Sequence, residues 1–261
     1  SSMANMLILA LIGAFAARGR RLQHPASDHA LAASLAICVN AVAGVLVLAR
    51  PEFTVLRVGP GSLLLLLVYL GAPRFAYLQA AGSAAPASAD QWTAAPATLR
   101  RAAAGFGGAA LAILVAAPLL AWSAKGIAAV TGLGETFIGT WLVGVSTSLP
   151  ELAASVAAVR LGALDLAVGN LFGSNAFNMA IFFVLDASQP GSLFSAVEPG
   201  HALSAFFAVI LMSLALAAIM YGPERRVGGI VLHALTIVAY FVGIWLLYAQ
   251  ASKSAAIGLG G

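Results

Sequence analysis

The chain has 261 residues, of which 61% are hydrophobic and only 8% charged. A water-soluble globular domain carries about 25% charged residues, so this chain has too few charges to cover a surface facing water. The formal charge of +4 and the isoelectric point near 9.6 do not point to nucleic acid, because the basic residues sit in short loops between apolar runs and not on one patch; the partner that the composition implies is a lipid bilayer.

In chain order, apolar segments fall at roughly 3–17, 29–49, 58–80, 102–123, 136–159, 162–185, 201–220 and 228–249. All but the first reach the roughly 20 residues that a helix needs to cross a bilayer. The expected class is therefore all-α: a polytopic membrane protein with about eight transmembrane helices. The first segment follows Ser1 with no basic stretch before it, so it does not read as a signal peptide. Its core, Met6-Leu7-Ile8-Leu9-Ala10-Leu11-Ile12, lacks a polar face. That favours a chain starting partway down a transmembrane helix over a short interfacial helix. Cys38, the single cysteine, lies in the second segment; it excludes a disulfide within the chain and a thiolate metal cluster. After the third segment comes 81–98, rich in Ala, Ser and Pro, which reads as a linker between a first half, 1–80, and a second, 99–261.

If the loops alternate sides, one side receives Arg18, Arg20, Arg21, Arg74, Arg100, Arg101, Arg160, Arg225 and Arg226, and the other Arg50, Arg57, Lys125 and Lys253. The first side is then expected to be cytoplasmic, with the 81–98 linker inside and the C-terminus outside.

Ionisable residues within spans are costly and mark candidate sites. Glu151 lies between Phe137 and Val159 in the fifth segment. Thr147 and Ser148 precede it by four and three residues, which places the three side-chain oxygens on one helical face. Pro150 has no N–H and displaces the carbonyl four residues back, so the Ser146 carbonyl is expected to be free for a ligand. A carboxylate, hydroxyls and carbonyls suit hard cations such as Ca²⁺ or Na⁺. The next segment carries Asn170, Ser174, Asn175 and Asn178, with Ser174 and Asn178 on one face, and Gly169 and Gly173 spaced for close approach of another helix. Together the two segments are expected to be adjacent interrupted helices with facing oxygens, as at transporter ion sites. Asp165 reads as a helix cap or interfacial pair, Glu135 as a helix start, Asp186 and Glu198 as solvated loop residues, His24 and His29 as loop residues, His201 and His233 as interfacial or interhelical, and Thr140 and Trp141 as packing residues.

At Ser146-Thr147-Ser148-Leu149-Pro150-Glu151 and Gly169-Asn170-Leu171-Phe172-Gly173-Ser174-Asn175-Ala176-Phe177-Asn178 the sequence resembles the cation/Ca²⁺ exchanger superfamily. The second repeat of its Na⁺/Ca²⁺ exchangers typically reads Gly-Thr-Ser-Leu-Pro-Glu, then Gly-Asn-x-x-Gly-Ser-Asn-x-x-Asn. Ser146 in place of Gly is the clear departure. The start Ser1-Ser2-Met3-Ala4-Asn5-Met6 echoes Ser174-Asn175-Ala176-Phe177-Asn178-Met179, with Ser1 matching Ser174 and Asn5 matching Asn178.

The resemblance implies a ten-helix inverted-repeat fold of which this chain holds helices three to ten, with a complete second repeat at about 136–185 and most of the first repeat lacking. It implies that Glu151 ligates Ca²⁺ and Na⁺, joined by Thr147, Ser148, the Gly144 carbonyl, Ser174, Asn178, Asn5 and Ser1, and that a sliding pair of gating helices opens the site to either side. The implied activity is not enzymatic: a secondary antiporter of a bacterial inner membrane moving Ca²⁺ out against Na⁺, with both ions as cargo and no cofactor. Three rivals stand beside it: a Ca²⁺/H⁺ exchanger of the same fold, a membrane-embedded enzyme, and a truncated, non-transporting membrane protein.

Overall fold

The computed structural model describes residues 1–18, 26–54, 58–82, 99–132, 135–220 and 226–258. The helices are α1 (Ser2–Arg18), α2 (Ala26–Ala49), α3 (Pro60–Gly82), α4 (Leu99–Thr131), α5 (Glu135–Ile138), a π-helical turn at Gly139–Val143, α6 (Gly144–Ser146), α7 (Leu149–Arg160), α8 (Leu164–Ser188), α9 (Leu193–Ala196), α10 (Gly200–Met220) and α11 (Arg226–Gly258). Every apolar segment read from the sequence carries a helix, as lipid requires: each backbone N–H and C=O must find its partner inside the segment. Among the described residues, five helices are long and apolar enough to cross a membrane. The bent pair Gly139–Ser146 and Leu149–Arg160 makes a sixth when the two helices are taken as one broken span, and Ser2–Phe15 and Pro60–Gly71 are shorter apolar helices. The protein is an all-α, multi-pass membrane protein. Most of the 81–98 linker lies outside the described residues; α3 runs through Gly82 and α4 begins at Leu99.

The centre of the bundle is α2 against α10. Small residues line the two helices: Ala33, Ala36 and Ala43 on one, Ala202, Ala208 and Ala215 on the other, all buried. In a bilayer, helix association gains little from the hydrophobic effect and depends on such close packing. Gly44 lies against Ala205 and Phe206, where a Cβ would sit 3.3 Å from both side chains.

The packing partners form a symmetric set. α1 packs on α11 and α8 on α3; α2 packs on α8 and α1 on α10; α2 packs on α3 and α10 on α11; α2 meets α10 and α1 meets α8. Exchanging α1, α2 and α3 for α8, α10 and α11 leaves this set unchanged. α4 stands apart, packing chiefly on α5 and the π-helical turn and exposing Phe106, Leu111, Leu114, Trp122 and Val130.

Several local expectations change. Asp186 is not a solvated loop residue: it lies in α8 and is fully buried. His29 is not in a loop but in the first turn of α2, where its Nε2 sits 3.7 Å from Asp165 Oδ1. Asp165 is thus an interhelical pair at the start of α8. His24 falls outside the described residues. His233 is interhelical as expected, its ring lying where a Cβ on Gly13 of α1 would be, 2.3 Å away. Glu135 opens α5. Thr140 shares a 2.9 Å hydrogen bond with Ser204, and Trp141 stacks on Phe137 at 5.9 Å.

Candidate ion site

The site forms where the span of Glu151 breaks. Because Pro150 lacks an N–H, it belongs in the first turn of a helix, not its interior; α6 therefore ends at Ser146, Thr147 and Ser148 form a turn, and α7 restarts with Pro150 in its first turn. Ser148 has φ −94° and ψ 1°, and the two halves of the span meet at 46°. Glu151 falls in the first turn of α7, where the helix dipole favours a carboxylate.

A three-residue connection returns the chain onto this break. Gly162 has φ +78°, its N–H donates to the Val159 carbonyl at 3.0 Å, and the Ala163 N–H donates to the Ala158 carbonyl at 2.9 Å. This is a Schellman cap, which needs glycine at its left-handed position. It lays α8 along α7 and brings Ser174 to Glu151: Ser174 Oγ donates to Glu151 Oε1 at 2.6 Å. Glu151 Oε2 is buried with no hydrogen-bond partner among the described residues. Asn170 fastens the two helices, its Nδ2 lying 3.4 Å from the Glu151 carbonyl and 3.3 Å from Ser155 Oγ.

The start of α1 completes the cluster. Ser148 Oγ lies 2.9 Å from the Gly144 carbonyl and 3.3 Å from the Ser1 carbonyl. Asn178 Nδ2 donates to Ser1 Oγ at 2.6 Å. Gly144 permits this approach, since a Cβ there would sit 3.0 Å from the Ser1 backbone nitrogen. Gly144→Val should therefore weaken ion binding more than Gly144→Ala, overpacking of this kind costing about 1–3 kcal/mol. The Ca²⁺ concentration dependence of flux in the full-length protein measures it, and an unchanged dependence in Gly144→Val would show that the close contact is dispensable.

Of the eight residues expected at the site, the structure gathers Glu151, Ser148, Gly144, Ser174, Asn178 and Ser1. Two are placed differently. Thr147 is exposed and turns its hydroxyl back to the Val143 and Gly144 carbonyls at 2.8 and 3.3 Å, because the helix breaks between it and Glu151 and they no longer share a face. Asn5 lies one turn from Ser1, but its Nδ2 donates to Asn175 Oδ1 at 2.8 Å, and its Oδ1 is buried with no partner among the described residues. The expectation of two interrupted helices also changes: α8 runs unbroken from Leu164 to Ser188. Gly173 has no neighbour where a Cβ would stand, and Gly169 meets the His29 ring at 3.6 Å, so this glycine pair does not seat another helix.

Sequence reasoning assigned no role to Asn175, Asn40 or Ser155, all buried. Asn175 accepts from Asn5 and lies 3.3 Å from the Ser2 carbonyl, while Asn40 of α2 reaches the Asn175 carbonyl at 3.2 Å. The signal for Asn40 was present: an amide inside an apolar run is expensive in lipid unless it has partners. Among the described residues there is no cluster of three His, Cys, Asp or Glu side chains. The donor set is one carboxylate surrounded by hydroxyls, amides and carbonyls, which can replace water around a hard cation.

Residues 101–249 match the family described as sodium/calcium exchanger protein. The chain is 34% identical over 143 residues to the CaxA protein of Alkalimonas amylolytica, covering 53% of this chain and 43% of that one. It is 34% identical over 127 residues to the inner membrane protein YrbG of Escherichia coli K12, covering 46% and 38%. It is 43% identical over 77 residues to the sodium/calcium exchanger MaX1 of Methanosarcina acetivorans, covering 30% and 21%. The matched part thus spans less than half of each relative. No solved structure matches the chain.

Proposed function

The chain belongs to the sodium/calcium exchanger protein family, and from that premise we propose that it acts as a secondary antiporter that moves Ca²⁺ out of the cell against inward Na⁺. The observation that carries this reading is the Glu151 carboxylate, held by Ser174 at a break in its span with one oxygen buried and without a hydrogen-bond partner among the described residues. An unpartnered carboxylate oxygen in a membrane interior is costly, and a cation beside it removes that cost. Hydroxyl and amide neighbours add ligands without charge, so Na⁺ and Ca²⁺ can compete for one set of oxygens.

The contact symmetry that exchanges α1 with α8, with Ser1 matching Ser174 and Asn5 matching Asn178, supports an inverted-repeat architecture. The excess of arginine on one set of loops supports a cytoplasmic 81–98 linker and an external C-terminus, in a bacterial inner membrane. A cysteine at Ser88, with Cys38 replaced, should resist an impermeant thiol reagent outside intact cells; rapid labelling would reverse the orientation.

The deciding experiment is Ca²⁺ flux in liposomes holding the full-length protein. Uptake driven by an outward Na⁺ gradient, and absent with a pH gradient alone, is the expected result. Flux that follows the pH gradient and ignores Na⁺ would make the protein a Ca²⁺/H⁺ exchanger instead.

A further inference from the structure

We propose that Asp186 is a positioning residue that holds α8, and with it Ser174 and Asn178, in register by capping α3 from the neighbouring helix. Asp186 has no exposed surface, yet both carboxylate oxygens are satisfied. Oδ2 accepts from the Gly59 N–H at 2.6 Å and from the Ser62 hydroxyl, and Oδ1 accepts from the Leu193 N–H at 2.7 Å. The neighbours of these oxygens are donors, so the group is an acceptor already filled and not a second cation site.

Gly59 immediately precedes Pro60, the first residue of α3. The carboxylate therefore takes the place of a local cap at the positive end of that helix. Glycine eases the approach, since a Cβ at Gly59 would lie 3.1 Å from Asp186 Oδ2, closer than an ordinary contact. The third bond ties down the connection after α8, where Phe194 is buried edge-on to Phe182 at 5.9 Å.

Asp186 follows Asn175 by eleven residues, close to three turns at 3.6 residues each, so both point from the same buried face of α8. Asn175 pins that face to α1 and α2, and Asp186 pins it to α3. Two polar anchors on one face fix both the rotation and the axial position of a helix that apolar contacts alone would leave free to slide. Ser174 and Asn178 inherit their positions from them. Under the exchange of α8 for α1, the place of Asp186 falls to Gly13, where the His233 ring fills the space; the carboxylate anchor belongs to one half only.

The inference rests on the reading that Ser174 and Asn178 face the ion, and its test separates the two. In liposomes holding the full-length protein, Asp186→Asn turns an amide NH₂ toward N–H donors. It should raise the KM for Ca²⁺ about tenfold, with a smaller change in maximal rate, as expected for loss of charge-assisted hydrogen bonds. Ser62→Ala, which removes one donor, should raise KM in the same direction by roughly threefold, and it decides the matter if Asp186→Asn does not insert. KM does not depend on the amount of active protein, so a simple folding defect would not move it. Backbone hydrogen exchange over Ser174–Asn178 should quicken in both variants, whether or not Ca²⁺ is the cargo. Unchanged KM and unchanged exchange overturn the inference, whereas absence of Ca²⁺ flux in the unsubstituted protein overturns the functional reading and leaves hydrogen exchange to decide on Asp186.

Discussion

Glu151→Gln in the full-length protein is expected to abolish Ca²⁺ exchange while leaving membrane insertion intact. Glutamine keeps the size of the side chain and an oxygen for Ser174 to donate to, but it removes the charge. Glu151 is the carboxylate at the break; Ser174 donates to it, and Ser148 and Asn178 are bonded to Ser1 at the start of α1. A dehydrated divalent ion loses with it a charge that hydroxyls and amides cannot replace. Removing one member of a buried, hydrogen-bonded charge pair costs about 2–5 kcal/mol, or at least roughly thirtyfold in ion affinity. The measurement is initial Ca²⁺ flux in liposomes, with size-exclusion behaviour and thermal stability as controls for folding. Near-normal flux in a well-folded variant would remove Glu151 from the site. Ser174→Ala provides the scale: it deletes one hydroxyl worth about 1 kcal/mol, so its effect should be several-fold and clearly below that of Glu151→Gln.

Asn175→Ala should produce the largest loss of stability among substitutions near the site. The Asn175 amide accepts from Asn5 and reaches the Ser2 carbonyl, while Asn40 holds its backbone carbonyl. Truncation leaves the Asn5 amide, already with one unpartnered oxygen, without its acceptor in a fully buried position. A stranded buried polar group costs about 1–3 kcal/mol. Interhelical hydrogen bonds in bilayers average somewhat less, about 0.6 kcal/mol, because the separated helices find other partners. Thermal unfolding in detergent should show a clear drop for Asn175→Ala and a smaller one for Asn40→Ala, which removes the donor to the Asn175 carbonyl but leaves Asn5 paired. Equal, negligible changes in both would mean that the three asparagines do not hold α1, α2 and α8 together.

The membrane class, the eight helical segments and the break at Glu151 are legible in the residue order, because each follows from chemistry local to the chain. Apolar runs in lipid must close their own backbone hydrogen bonds, and Pro150 interrupts a helix whatever surrounds it. The motif residues Ser174 and Asn178 were legible for the same reason, since a hydroxyl and an amide inside a span are costly wherever the helix packs. Whatever depends on which helix lies beside which comes from the packing. Helical spacing carried across the Pro150 break places Thr147 on the face of Glu151, but the turn at Thr147–Ser148 sends its hydroxyl back to the Val143 carbonyl instead. Asn5 was matched to Asn178 by position, yet Asn175 of α8 stands across from it and takes its amide. Asp186 lies near the end of an apolar run before a Gly-Pro-Ser-rich loop, which is the pattern of a solvated residue. Its burial comes from the Gly59 N–H, Ser62 and the Leu193 N–H converging on it. Two of these donors lie more than a hundred residues away along the chain, and two of the three are backbone N–H groups, which carry no side-chain signature. A buried carboxylate is stable only with donors brought by other elements, and only the packing of α3 on α8 brings them.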